Sequence, residues 1–318
     1  MKRVLILILA LIMAMSLTAC GSKPSEGGSL TFTTGSYTGT YYAFGSAMSD
    51  RVNIATDTKV TVIPSNGSQA NIEALKAGEA DIAFVQSDVM AYGYNGTRLF
   101  EETGAVTTFS AVAAMYMEQV QIVTLDASIK SVADLAGKRV SIGAVGSGVY
   151  YNAMDILDVY GLTENDIIPS FYDFSETIKA LQNGQIDVGF VVAGTPTNAV
   201  ASLATTNDAY LVSLDDEHIR ALIDVSPYYT RNVIGAEVYG THEDVITVGI
   251  SAVVIANDSA SDNDVYNFIS AIFNNLDTIA HDKTSELSLD FAVSVTDVPY
   301  HPGAARYFRD RCLVVTGK

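Results

Sequence analysis

Apolar residues fall along this chain in short β-type runs that alternate with helical patterns. Leu30–Thr34, Lys59–Pro64 (KVTVIP), Asp81–Gln86 (DIAFVQ), Arg139–Ala144 (RVSIGA), Asp187–Val192 (DVGFVV) and Tyr210–Leu214 (YLVSL) read as strands. Tyr41–Ile54, Ser68–Ala77, Val149–Tyr160 and Ser175–Asn183 read as helices between them, and Ser261–Val315 is mostly helical. Alternation of this kind predicts an α/β protein with parallel sheets covered by helices.

Part of the pattern occurs twice. Ile72–Val85 reads IEALKAGEADIAFV and Ile178–Val191 reads IKALQNGQIDVGFV. Upstream, Gly39-Thr40-Tyr41-Tyr42-Ala43 is answered by Gly148-Val149-Tyr150-Tyr151-Asn152, each after a glycine-rich loop. The same units in the same order predict two similar lobes. Two long β-type stretches, Ser110–Leu125 and Val245–Ala256, read as crossover strands between them. The first lobe is then residues 29–117 plus 250–318 and the second 118–249, with a hinged central ligand cleft between them.

Four segments combine a strand end, a loop of small residues and a helix start. They are Thr34–Thr40, Pro64–Ser68, Gly143–Gly148 and Ala193–Thr197, two in each lobe. Ligands of open α/β sheets bind beyond the carboxyl ends of strands. Helix starts offer unpaired N–H groups and partial positive charge, a natural site for a carboxylate. These loops nominate Gly35, Ser36, Thr40 and Tyr41, then Asn66, Gly67 and Ser68, then Gly146, Ser147 and Gly148, then Gly194, Thr195 and Pro196. Gln86 and Ser87, at the polar corner after the DIAFV strand, join them. None of the four loops contains Arg or Lys; Arg231 and Arg306 are the basic residues that would compete for a carboxylate from elsewhere. Asp81 and Asp187 read as turn residues.

Composition narrows the function. The 318 residues carry 36 acidic and 18 basic side chains, a net charge of −18. Such a surface repels nucleic acid at long range, so no nucleic-acid partner is expected. His218, His242, His281 and His301 form no metal pattern, and no G-x-S-x-G elbow occurs. Gly143–Gly148 is neither a dinucleotide fingerprint nor a phosphate loop. The chain therefore reads as a binding protein and not an enzyme, with no metal and no cofactor.

The start of the chain bears on location. Lys2 and Arg3 precede an apolar run, Val4–Met15, that is too short to span a bilayer comfortably. Residues 1–19 read as a secretory signal peptide. Leu17-Thr18-Ala19-Cys20 resembles a bacterial lipobox, which makes Cys20 the lipidated first residue of the mature chain and residues 20–28 a flexible tether. The expected location is extracytoplasmic, anchored to the membrane through lipid. Cys312 is then unpaired and reads as a small buried residue.

Taken in order, the lipobox, T-G-S-x-x-G-T-Y-Y (34–42), G-E-A-D-I-A-F-V-Q-S-D (78–88), S-V-A-D-L-A-G-K-R-V-S-I-G (131–143), G-S-G (146–148), F-S-E…A-L-x-x-G-Q-I-D (174–187), A-G-x-P (193–196) and H-P-G-A-x-R-Y (301–307) resemble the TAXI family of solute-binding subunits of TRAP transporters. The resemblance implies a type II periplasmic-binding-protein fold. It also implies a small carboxylate ligand such as glutamate, glutamine or a 2-oxoglutarate-like acid, and delivery to TRAP membrane permease subunits. Ala43 stands where that family usually has Pro, and Gln69 departs from its G-S-V-x-N-L pattern. A ligand-sensing module acting through a partner receptor is the alternative reading.

Overall fold

A computed structural model describes residues 27–318. The expected signal peptide, Cys20 and most of the tether lie outside the described residues. The chain opens with β1 (Ser29–Thr33), α1 (Thr40–Ala55), β2 (Lys59–Ile63), α2 (Ser68–Ala77), β3 (Ile82–Gln86) and α3 (Ser87–Asn95). The long β4 (Phe109–Thr124) leads to β5 (Arg139–Ser141), α4 (Gly148–Val159), β6 (Ile168–Ser170), α5 (Phe174–Gln182) and β7 (Val188–Ala193). Then come α6 (Asn198–Thr206), β8 (Tyr210–Leu211), α7 (Asp216–Val225), β9 (Thr230–Ile234) and α8 (Ala236–Tyr239). The second long strand, β10 (Val245–Asn257), returns the chain to α9 (Asp262–Phe273), α10 (Leu289–Ala292) and α11 (Pro302–Arg309).

The strand order β2-β1-β3-β10-β4-β7-β5-β6 has a mirror in it. On one side β1 pairs parallel with β2 and β3, and β10 adds antiparallel to β3. On the other side β5 pairs parallel with β6 and β7, and β4 adds antiparallel to β7. The internal repeat is the local cause. Its glycines, Gly78 and Gly184, end α2 and α5 with φ of 72° and 64°, a conformation that favours glycine. Its aspartates close the turn on the neighbouring strand. Asp81 Oδ2 accepts from Thr31 N at 2.7 Å, and Asp187 Oδ2 accepts from Arg139 N at 2.9 Å. Both aspartates are therefore structural turn residues, and Asp187 also pairs with the Arg139 guanidinium at 2.6 Å.

Two bodies of core result. One draws on residues from Leu30 to Tyr116 and from Ala252 to Phe308. The other, in two clusters, draws on Val120 to Ile250. The handover falls inside β4, between Tyr116 and Val120, and inside β10, between Ile250 and Ala252. These two strands pair with each other from Gly249↔Gln119 to Asn257↔Phe109, so both connections between the lobes lie side by side. At about 3.3 Å per residue, β4 runs roughly 50 Å and is buried along nearly its whole length.

Cys312 is exposed, with φ of 61°, and not buried as its residue type suggested. It follows the last turn of α11, whose Arg309 carbonyl accepts its N–H, and that tight turn leaves the side chain outside the core.

The first core centres on aromatic rings. Phe84 of β3 contacts Phe32 at 5.1 Å between centroids and Tyr116 at 6.1 Å, and stacks on Tyr41 at 4.6 Å with 6° between planes. Phe84→Ala is expected to cost about 3–5 kcal/mol. It should lower the urea midpoint of unfolding without changing the slope of the transition.

Candidate functional site

Three helices start at one place. The N-termini of α1, α2 and α4 face a cavity of about 510 Å³, mouth included, between the two bodies of core. The residues before α1 and α2 are glycines, Gly39 and Gly67, with no side chain to cap the helix. Gly67 has φ of 115°, which suits glycine. Ser147 caps α4, its Oγ accepting from Tyr150 N at 3.4 Å. None of the three has an acid in its first turn, whereas α3, α5, α7 and α9 all do. The amides of Thr40, Tyr41, Ser68, Gln69, Gly148 and Val149 donate to no acceptor among the described residues. Unpaired N–H groups and aligned dipoles from both lobes thus converge on the cavity.

Side chains complete the lining. Ser36 Oγ and Gln86 Oε1 are buried and have no hydrogen-bond partner among the described residues. Ser68 Oγ holds Gln86 N at 3.0 Å, which fixes the end of β3 against the start of α2. An added Cβ on Gly148 would fall 1.5 Å from Gln86 Oε1, so the wall is closed by glycine at that point. Tyr41 OH donates to Glu118 Oε2 at 2.9 Å, and Glu118 is itself buried in the wall.

Of the residues nominated from sequence, Gly35, Ser36, Thr40, Tyr41, Asn66, Gly67, Ser68, Gln86, Ser147 and Gly148 line this cavity. Five do not. Ser87 faces a separate groove with Met90, Tyr228 and Asp297, because it begins α3 and turns away from the strand end. Gly146 accepts Ala70 N at 3.0 Å across the gap between lobes. Gly194 O accepts from Thr40 Oγ1 at 2.9 Å, Thr195 donates to Gln119 Oε1 through N and Oγ1, and a cis bond joins Thr195 to Pro196. This last loop stands behind the wall and braces it.

Sequence reasoning missed Gly39, Ser65, Glu118, Ala144, Val149, Asp173, Phe174, Val192 and Ala193, which also line the cavity. Glu118 had a signal: with Gln119 and Gln121 it interrupts the apolar run of β4. Phe174 had none; its ring reaches Gly39 from the other lobe. Among the described residues, no Arg or Lys lines the cavity. Arg231 pairs with Asp216 at 2.8 Å on the surface, and Arg306 lies over the Tyr266 ring at 4.4 Å. The cation packed behind the wall is Lys283, buried and bonded to Glu286 at 2.5 Å.

Two buried carboxyls here hold their protons unusually well. Burial, then the Asp88 charge, pushes Glu118 up to about 8 against the opposing Tyr41 hydrogen bond and Lys283. Burial pushes Asp88 up to about 7, opposed by hydrogen bonds from Val89 N and Asn152. Both values lie above those of the unfolded chain. The stability these groups contribute is therefore complete below their unfolded values and lost as pH rises through about 7 and about 8. Calorimetry should show the contribution of these groups to the melting temperature declining from about pH 4 and levelling off above about pH 8, with Glu118→Gln flattening the last part of that decline, between about pH 7 and about pH 8. An unchanged profile in the variant would contradict the assignment.

The mirrored arrangement, three parallel strands plus one antiparallel returning strand in each lobe, is the type II periplasmic-binding-protein fold. A protein of Bordetella bronchiseptica RB50 superposes with a TM-score of 0.52 at 14% identity, over 90% of this chain and 99% of that one. The periplasmic aliphatic sulphonate binding protein SsuA from Escherichia coli gives 0.48 at 14% identity, over 90% and 88%. A putative L-cystine ABC transporter protein from Listeria monocytogenes gives 0.49 at 16% identity, over 85% and 99%. The pattern of the NMT1-like family matches residues 32–311. With nearly the whole described chain inside that match, this protein belongs to the NMT1-like family.

Proposed function

We propose that this protein is the extracytoplasmic solute-binding subunit of a TRAP-type, ion-gradient-driven transporter, held to the membrane by lipid on Cys20. It captures a small carboxylate of the glutamate, glutamine or 2-oxoglutarate type and hands it to the membrane permease. The observation that carries the binding role is the convergence of three helix N-termini without an acid in the first turn, from two lobes, on one cavity with buried unpartnered polar atoms. The permease type and the lipid anchor rest on the motif resemblance and the lipobox.

The carboxylate sits at the starts of α1, α2 and α4. Charge-assisted hydrogen bonds are roughly twice as strong as neutral ones. Several from fixed amides, in a cavity shut from water, replace an ion pair. Glu118, held toward its neutral form by burial, does not oppose an ionised ligand carboxylate in the cavity. The lobes touch through Ala70 N–Gly146 O at 3.0 Å, Asn66 Nδ2–Val145 O at 3.1 Å and Thr38 Oγ1–Ser175 Oγ at 3.1 Å. Release of ligand requires these contacts to part, with β4 and β10 as the hinge.

Thermal shift against L-glutamate, L-glutamine, 2-oxoglutarate and related acids tests the binding role. A ligand at 100 times its Kd adds about 2.7 kcal/mol, which raises the melting temperature by a few degrees. Small-angle scattering should give a smaller radius of gyration with that ligand than without it. Gly148→Ala should weaken binding by about tenfold or more, because its Cβ displaces Gln86 Oε1. Uptake in cells should collapse with an uncoupler, and Cys20→Ser should release the protein from the membrane. Uptake that survives the loss of ion gradients would overturn the TRAP assignment.

A further inference from the structure

Gln86 shows the cavity one end of its amide, and a directional chain of hydrogen bonds decides which end. The chain begins at Arg98, a permanent donor, whose guanidinium donates to Asp155 Oδ1 at 2.6 Å. Asp155 is therefore held as an acceptor, and Tyr229 OH donates to its other oxygen at 3.0 Å. Burial and the neighbouring Asp155 and Asp88 carboxyls push the Tyr229 phenol well above its usual range, so it keeps that proton.

With its proton committed, the Tyr229 oxygen accepts from Asn152 Nδ2 at 3.0 Å. The same nitrogen donates to Asp88 Oδ2 at 3.1 Å. Tyr229, as an acceptor, fixes the Asn152 amide with Oδ1 toward Gln86, and an ionised Asp88 beside the same nitrogen reinforces that orientation. Gln86 must then spend its nitrogen on that oxygen, and does so at 2.9 Å. That leaves Oε1 buried and without a partner in the wall of the cavity. A buried carbonyl oxygen without a donor costs free energy, and a ligand that supplies the donor removes that cost. Oε1 lies against Gly148, the first residue of α4, whose amide is one of those open to a carboxylate. The missing donor thus belongs on the atom next to the ligand's carboxylate.

We propose that the relay from Arg98 through Asp155, Tyr229 and Asn152 to Gln86 makes this cavity select carboxylic acids that carry an N–H or O–H donor at the α-carbon, over the matching 2-oxo acids. Arg98 and Gln86 come from the first lobe and Asp155, Asn152 and Tyr229 from the second, so the chain is complete only while the lobes are together. Gln86 is the specificity-determining residue and Asn152 its positioning residue. The proposal rests on the carboxylate-binding reading above and adds the group next to the carboxylate.

Calorimetric titration with matched triplets tests it: L-glutamate, 2-hydroxyglutarate and 2-oxoglutarate, then L-alanine, lactate and pyruvate. The wild-type protein should bind the amino or hydroxy member of a triplet at least about tenfold tighter than the oxo member, since sites built around a donor reject analogues that lack it. The amino and hydroxy arms tell the two kinds of donor apart. In Gln86→Met, which keeps the length and loses the acceptor, the ratio should fall to about one. Asn152→Leu, which frees the Gln86 amide to turn, should lower the ratio although Gln86 is intact. Equal or tighter binding of the oxo member, or a preference that survives Gln86→Met, overturns the relay and leaves the carboxylate-binding reading standing. Failure of every acid in both triplets to bind would remove that reading and the relay together.

Discussion

The antiparallel pairing of β4 with β10 is the constraint on which the rest of the molecule depends. Each strand leaves one body of core and enters the other, and the two are hydrogen-bonded to each other along the crossing. That fixes where the lobes meet and leaves them only one joint. It also brings the carboxyl ends of β1 and β3 in one lobe to face those of β5 and β7 in the other. The helices that follow β1 and β5, and the one that precedes β3, therefore start toward a shared space. Glu118 sits at the crossing itself, opposite Ile250 in register, which is why a strand residue reaches the cavity wall.

Electrostatics in this protein work on two scales. The surface is strongly acidic, yet the cavity is built from backbone dipoles and hydroxyls. A dense negative field outside is screened within about a Debye length of 8–10 Å. Within the cavity the nearest groups dominate, and at the three helix starts those groups are N–H donors. The two buried carboxyls close by, Glu118 and Asp88, are held toward their neutral forms by burial. A carboxylate ligand can thus be bound by an acidic protein without a basic side chain in the site.

The fold was largely legible because its local devices are written in residue types. The repeated glycines at Gly78 and Gly184 and the repeated aspartates at Asp81 and Asp187 act at equivalent places, so the repeat in the sequence corresponds to the repeat in the sheet. The site was legible where a loop also starts a helix at the cavity, as at Gly35–Tyr41, Asn66–Ser68 and Ser147–Gly148. It was misleading at Ser87, where the polar corner continues into α3 and turns outward. At Gly194–Pro196 the same loop chemistry supports the wall from behind, and nothing in the residue types distinguishes lining from bracing.

By itself, the sequence determined what repeats, what alternates and what ends a helix: two α/β lobes, two long crossing strands, and helix starts free of acid and rich in glycine. These follow from interactions between residues near one another in the chain. Only the tertiary structure decided which helix starts meet, that Glu118 and Phe174 close the wall, and which way Gln86 turns its amide. The last depends on Arg98, Asp155, Tyr229 and Asn152, spread over 144 positions of chain from Gln86 to Tyr229 and divided between two lobes. The polarity of a hydrogen-bond chain is a property of the closed path in space, and no local pattern encodes it.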